Sequence, residues 1–150
     1  FTLCERSTRV PFIIHAPRVT RENTRTAKPV GLIDLFPTLN DLCGLPTVAN
    51  LDGQSLRPLL RDPSVAWEAP ALTTHGRGNH ALRAERWRYI RYADGGEELY
   101  DCTTDPNEWN NLESQSEYAA VKTQLAHWLP KSDAEAKRRT TKGVPARRAP

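Results

Sequence analysis

Apolar residues follow two different rhythms along this chain. Val10–His15 (VPFIIH) is a short, dense apolar run, with Pro11 near its start and Pro17 just beyond it. A run without alternation suits a strand buried on both faces, as in a parallel sheet, and its proline confines it to a start or an edge. Thr20–Pro29 is polar and basic and predicts a surface loop. From Ile33 to Cys43 the rhythm is helical: Leu32, Leu35, Phe36, Leu39, Leu42 and Cys43 fall on one stripe, which places Cys43 in the core. Asp34 suits the start of that helix, Pro37 is tolerated in its first turn, and Gly44 and Pro46 end it. A strand followed by a helix predicts the last unit of an α/β fold. Leu51–Leu60 (LDGQSLRPLL) then predicts a turn at Asp52-Gly53 and a short helix. Val65–Pro70 is a connector anchored by Trp67, and the domain boundary is expected there.

After Ala71 the rhythm changes to period two. Ala71–Thr74, Ala81–Ala84, Trp87–Tyr92 and Glu98–Asp101 are predicted strands. Asp94-Gly95-Gly96 predicts a hairpin turn between the last two. Asp105-Pro106 turns the chain again. Glu117–Leu129 places Tyr118, Val121, Leu125, Trp128 and Leu129 on one broad helical face, which Pro130 ends. A helix on a small antiparallel sheet makes an α+β unit. The expected organisation is therefore 1–68 as the incomplete end of an α/β domain, 69–130 as a sheet-plus-helix subdomain, and 131–150 as a disordered basic tail.

Composition refines this picture in two places. The net charge of +3 hides an uneven distribution: residues 131–150 carry net +5, and the remaining 130 carry −2. The body is thus no generic nucleic-acid binder, while the tail has the charge to touch polyanions. No apolar run reaches the ~18 residues of a membrane span. The three cysteines, Cys4, Cys43 and Cys102, have no CxxC or Cys/His zinc spacing. A Cys4–Cys102 disulfide is an open alternative to free thiols.

Candidate chemistry concentrates in Thr73–Arg83 (TTHGRGNHALR). Its two glycines permit a sharp turn or close backbone approach to a ligand. His75, Arg77, Asn79 and His80 offer hydrogen-bond donors to an anionic ligand, which the family resemblance described below would make a sulfated or carboxylated sugar. The alternative is a solvated loop whose histidines orient backbone. Trp87, Tyr89, Tyr92, Tyr100 and Trp109 offer sugar-stacking surfaces, but their strand spacing favours core packing. Arg86, Arg88 and Arg91 are expected to divide between solvent and pairing with Glu97, Glu98 or Asp101 across the hairpin. Asp34, Asp52, Asp101 and Asp105 each have a capping or turn role.

Five segments, in this order, resemble the C-terminal part of the sulfatase family of the alkaline-phosphatase-like superfamily. They are TRVPFIIHAP (Thr8–Pro17), GLIDLFPTLNDLCGLP (Gly31–Pro46), LDGQSLRPLL (Leu51–Leu60), RWRYIRYADGGEELYD (Arg86–Asp101) and DPNEWNNL (Asp105–Leu112). The iduronate-2-sulfatase-like branch is the most similar. The resemblance covers about Phe1–Pro130. It implies a large α/β domain followed by a subdomain with a four-stranded antiparallel sheet and a terminal helix, with Thr73–Arg83 near the substrate cleft. It also implies hydrolysis of sulfate monoesters by a formylglycine nucleophile beside calcium, and a periplasmic or secreted setting.

Formylglycine is made from Cys or Ser in a C/S-x-P-x-R signature. None of CERST, CGLPT and CTTDP around the cysteines matches it, and the family's paired calcium aspartates are missing too. Formylglycine and calcium are expected in the parent enzyme and held by neither residue set here. With no Met and an opening inside an apparent element, the chain is expected to be the final part of a longer enzyme whose reaction centre lies upstream. The expected partners are a sulfated carbohydrate and that upstream part, with no membrane and no specific nucleic acid. Two alternatives stay open: a phosphatase or phosphodiesterase of the same superfamily, and a non-catalytic glycan-binding or structural fragment.

Overall fold

The computed structural model describes residues 2–133. The expected basic tail lies outside the described residues from position 134 onward. Four strands, β1 (Ala71–Thr74), β2 (His80–Arg83), β3 (Trp87–Arg91) and β4 (Glu97–Asp101), pair consecutively and antiparallel. The turn between β3 and β4 forms as expected: Gly95 takes a φ of +91°, and Asp94 Oδ1 accepts the Gly96 N–H at 2.9 Å.

The register explains why this sheet has two buried faces. Leu82, Tyr89 and Leu99 lie directly opposite one another across β2, β3 and β4. They pack with Leu125 of helix α4 (Ala119–Ala126) and with Leu129 just beyond it. Each such side chain contributes about 1.5–3 kcal/mol on leaving water. The alternate positions point the other way, and Ala81, Ile90 and Tyr100 pack there against Leu3. The start of the chain therefore covers the second face, followed at once by the single-turn helix α1 (Glu5–Thr8).

Arg88, paired opposite Tyr100, fixes that cover. Its NH1 donates to Leu3 O at 3.0 Å, its NH2 pairs with Glu5, and its Nε lies 2.5 Å from Glu108 Oε1. Glu108 Oε2 in turn accepts the Glu5 N–H at 2.8 Å. Cross-hairpin pairing is correct for Arg86, which donates to Asp101 Oδ2 at 2.7 Å. It is not correct for Arg88, whose acids come from residues 83 positions before and 20 after it in sequence.

The other part of the chain is built around Asp34. A 3₁₀ turn (Leu32–Asp34) leads into α2 (Leu35–Leu42), and α3 (Arg57–Arg61) packs beside it. Asp34 accepts the Gly31 N–H through Oδ2 and the Gln54 N–H through Oδ1, each at 2.9 Å. Thr38 Oγ1, fully buried, accepts the Leu56 N–H at 2.9 Å. Only glycine fits at Gly53, since an added Cβ would sit 2.3 Å from Ile33 O. Trp67 anchors the connector as expected, its Nε1 donating to Pro29 O at 3.1 Å.

Three further expectations fail. Val10–His15 is not a strand: it is irregular, no backbone hydrogen bond ties it to another segment among the described residues, and Ile13 is 91% exposed. A doubly buried strand needs neighbours, and β1–β4 already pair among themselves. Cys43 is exposed because the apolar stripe of α2 faces outward. Trp109 is 79% exposed, because the turn directs Glu108 inward in its place. Cys4 and Cys102 are free thiols.

Candidate substrate-binding loop

The loop between β1 and β2 divides the four candidate residues into two pairs. Gly76 and Gly78 take positive φ, +68° and +77°, which lets His75–Asn79 reverse direction in few residues. The reversal is closed by the His75 N–H donating to Asn79 O at 3.0 Å. Gly78 also lies against the neighbouring β3–β4 turn, where an added Cβ would come within 3.0 Å of the Ala93 Cβ.

Asn79 and His80 face inward. Asn79 Oδ1 accepts the Ala93 N–H at 3.2 Å, so this side chain fastens one turn to the other. Its Nδ2 donates to Arg77 O at 3.3 Å. His80 is 2% exposed, with Nδ1 2.9 Å from Thr74 Oγ1 and Nε2 2.9 Å from Asp133 Oδ1. His75 and Arg77 lie on the solvent side of the same loop. The arrangement is a braced turn that presents an imidazole and a guanidinium outward. A guanidinium can bind an anionic group through charge-assisted hydrogen bonds.

The acidic residues are committed elsewhere. Asp101, hydrogen-bonded by Arg86 and the Thr103 N–H, is held down at about 2. Glu97 is lowered chiefly by its hydrogen bond from Tyr89 and is also bound by Lys122 at 3.2 Å. Burial and Glu98 push the Tyr92 hydroxyl up to about 12 and raise that of Tyr100 as well, so neither phenol serves as a base near neutral pH. Among the described residues no three His, Cys, Asp or Glu side chains gather into a metal-holding group. The donors of the described residues therefore do not fit a calcium site, and no cysteine or serine of the sequence stands in the formylglycine signature.

Sequence reasoning found the loop but not its division of labour. The signal for Asn79 was its place between Gly78 and a strand. The partner of His80, Asp133, lies beyond α4 and had no sequence signal.

Comparison with known proteins extends this picture. The family described as N-sulphoglucosamine sulphohydrolase, C-terminal, matches residues 2–135. A sulfatase of Formosa agariphila is 34% identical over 88% of this chain and 26% of its own length. Arylsulfatase K of Gallus gallus is 32% identical, covering 74% of this chain and 23% of that protein. Among solved structures, a 2-O GAG sulfatase superposes with a TM-score of 0.51 at 30% identity, over 63% of this chain and 22% of that one. Ps i-CgsB in complex with k-i-k-neocarrahexaose gives a TM-score of 0.54 at 25% identity, over 74% of this chain and 26% of that one. The chain thus spans about a quarter of the length of the curated relatives it matches. Its sheet and helix match the C-terminal subdomain of the alkaline-phosphatase-like sulfatase fold, and the chain belongs to the sulfatase family through its N-sulphoglucosamine sulphohydrolase C-terminal domain.

Proposed function

We propose that this chain is the C-terminal portion of a sulfatase that hydrolyses sulfate monoesters on a sulfated sugar, and that His75 and Arg77 face that sugar. The family match over residues 2–135 carries the proposal. The likeness to a 2-O GAG sulfatase and to Ps i-CgsB in complex with k-i-k-neocarrahexaose supports a carbohydrate substrate. The order of the five segments from Thr8 to Leu112 supports the iduronate-2-sulfatase-like branch. In this proposal residues 1–68 end the α/β sulfatase domain and 69–130 form the subdomain that carries the loop.

Formylglycine would supply the nucleophile and calcium the charge against the sulfate oxygens, both on residues outside this chain. This chain's own contribution is positioning: Asn79 and Gly78 fix the turn, and Arg77 and His75 pair with anionic groups of the sugar. An exposed charge-assisted contact of this kind is worth about 1.5 kcal/mol. The test is the longer polypeptide containing this chain, assayed on a sulfated oligosaccharide and on a phosphate monoester. Sulfate release is expected, with Arg77→Ala raising KM about tenfold and leaving kcat within about twofold. Hydrolysis of the phosphate ester alone would refute the proposal.

A further inference from the structure

The described residues end at Asp133, and Asp133 lies against the root of the candidate loop. Leu129, just past α4, packs in the core with Leu82. His80 stands two positions before Leu82 on β2, so its ring falls on the same face of the strand. Asp133 brings Oδ1 to 2.9 Å from His80 Nε2. The other ring nitrogen, Nδ1, lies 2.9 Å from Thr74 Oγ1, so both nitrogens of this buried imidazole are engaged. The chain beyond Pro130 is thereby led along the α4 side of the sheet to the first residue of β2. That residue directly follows His75–Asn79.

The most positive stretch of the sequence continues from this point. Residues 134–150 lie outside the described residues, and their charges are set by the sequence: Lys137, Arg138, Arg139, Lys142, Arg147 and Arg148 stand against Glu135 alone, a net of +5. The first 130 residues carry −2. A basic run needs no partner when it is only a solvated end. This one has an address. A buried side chain fixes its root, and the loop beside that root presents Arg77 outward. Lys137 is four residues and Arg148 fifteen residues past Asp133, so an extended chain carries them at most about 14 Å and about 50 Å from it.

We infer that the basic residues 137–148 bind the same sulfated polysaccharide chain that the loop faces, taking its anionic groups beyond the sugar at the loop, so that loop and tail form one extended polyanion site. The inference deepens the functional proposal and rests on it in one respect, that the loop faces a sulfated sugar. Two modest contacts made to one ligand raise the affinity for long chains and leave that for short ones unchanged. A nucleic acid carries comparable charge, but a tail rooted at the loop favours the ligand that the loop binds.

Fluorescence anisotropy on the longer enzyme tests this, with a heparin decasaccharide, a heparin tetrasaccharide and a single-stranded DNA of the decasaccharide's charge as probes. The combined change Lys137→Gln, Arg138→Gln, Arg139→Gln, Lys142→Gln, Arg147→Gln and Arg148→Gln is expected to weaken decasaccharide binding about tenfold at about 50 mM salt, and tetrasaccharide binding less than about twofold. Added salt should weaken the unmodified enzyme more steeply than this variant, because the variant releases fewer counterions. Arg77→Ala should weaken both oligosaccharides. A decasaccharide affinity that ignores the six changes would overturn the inference. So would one that ignores Arg77→Ala, since the tail would then hold the polymer away from the loop. Tighter binding of the DNA, lost in the six-residue variant, would make nucleic acid the ligand and overturn it too. A tail-dependent decasaccharide affinity in an enzyme that hydrolyses no sulfated sugar would sink the functional proposal and leave the polyanion site standing. Sulfate release with an unchanged KM for long chains in the six-residue variant would do the reverse.

Discussion

Replacing Arg88 by Met tests the tie between the start of the chain and the sheet. The Arg88 side chain is 2% exposed, and Glu108 beside it is 4% exposed. Nε of Arg88 and Oε1 of Glu108 face each other at 2.5 Å outside hydrogen-bond geometry, and neither has another partner, so charge alone satisfies them. Arg88→Met keeps the volume and strands Glu108 and Glu5 as poorly compensated carboxylates. Breaking a buried pair on one side costs about 3–5 kcal/mol, a third or more of the stability of a domain this size. At a urea slope of about 2 kcal/mol per molar, the midpoint falls by about 2 M. Protonation supplies the internal control. Burial alone would raise the Glu5 carboxyl, but hydrogen bonds and charge from Arg88 and Arg83 outweigh it and hold the carboxyl below its ordinary value. That stabilisation is complete above the ordinary Glu range and is lost as pH falls through the lowered value. In Arg88→Met the buried carboxylates gain protons more readily than in the unfolded chain, so the variant gains relative stability as pH falls. The gap between the two proteins should therefore narrow between pH 7 and pH 4. The triple change Arg88→Met, Glu5→Gln and Glu108→Gln should recover most of the loss, because no buried charge remains. A loss below about 1 kcal/mol, or a gap that ignores pH, would refute the reasoning.

Asp101→Asn should cost about 1 kcal/mol at pH 7, discounted from the full shift because Arg86 is solvent-exposed. The lowered carboxyl stabilises fully above about pH 4 and loses that effect as pH falls towards 2, so the penalty should vanish in acid-unfolding curves near pH 2. Gly78→Ala places a Cβ at φ +77° against Ala93 and should cost about 1–3 kcal/mol by thermal unfolding; an unchanged midpoint would show the turn relaxes freely. Thiol titration should find Cys4 faster than Cys102. Hydrogen bonds from Ser7 and Thr2 lower the Cys4 thiol, whereas burial raises that of Cys102.

The sheet was legible because its signals are local. β-branched and aromatic residues cluster in short runs at Trp87–Arg91 and Glu97–Asp101, and Asp94-Gly95-Gly96 leaves the hairpin between them little choice of turn. The helix at Leu35–Leu42 was legible from its stripe and from Gly44, which takes the left-handed conformation after it. The direction of that stripe was not, because periodicity says which residues share a face and nothing about what covers it. Arg88 was misread for a related reason. Its alternation with Trp87 and Tyr89 places it on a strand, but its partners Glu5 and Glu108 arrive from distant segments that only the fold brings together. In the candidate loop, the glycines announced a turn. The inward roles of Asn79 and His80 depend on Ala93 and Asp133, neither adjacent in sequence.

These contacts tie the candidate loop to the rest of the chain through a short route. Leu3 is locked into the sheet, and the chain leaves that face within ten residues, where Ile13 stands exposed. A second bond runs from Lys28 to Glu85 at 2.8 Å, and a third from Trp67 to Pro29. The Lys28 pair joins an exposed carboxylate and contributes little stability. The buried Arg88 tie is the stiff one, because loosening it exposes two acids together with Leu3. If His75 and Arg77 face the sugar as proposed, their pose would then depend on a residue that touches no substrate. In the longer enzyme Arg88→Lys keeps the charge and loses the planar fork that reaches Leu3, Glu5 and Glu108 together. The expected result is a raised KM for an oligosaccharide and an unchanged one for a small sulfate ester that does not reach the loop. Equal changes for both substrates would mean that Arg88 supports the fold and not the orientation of the loop.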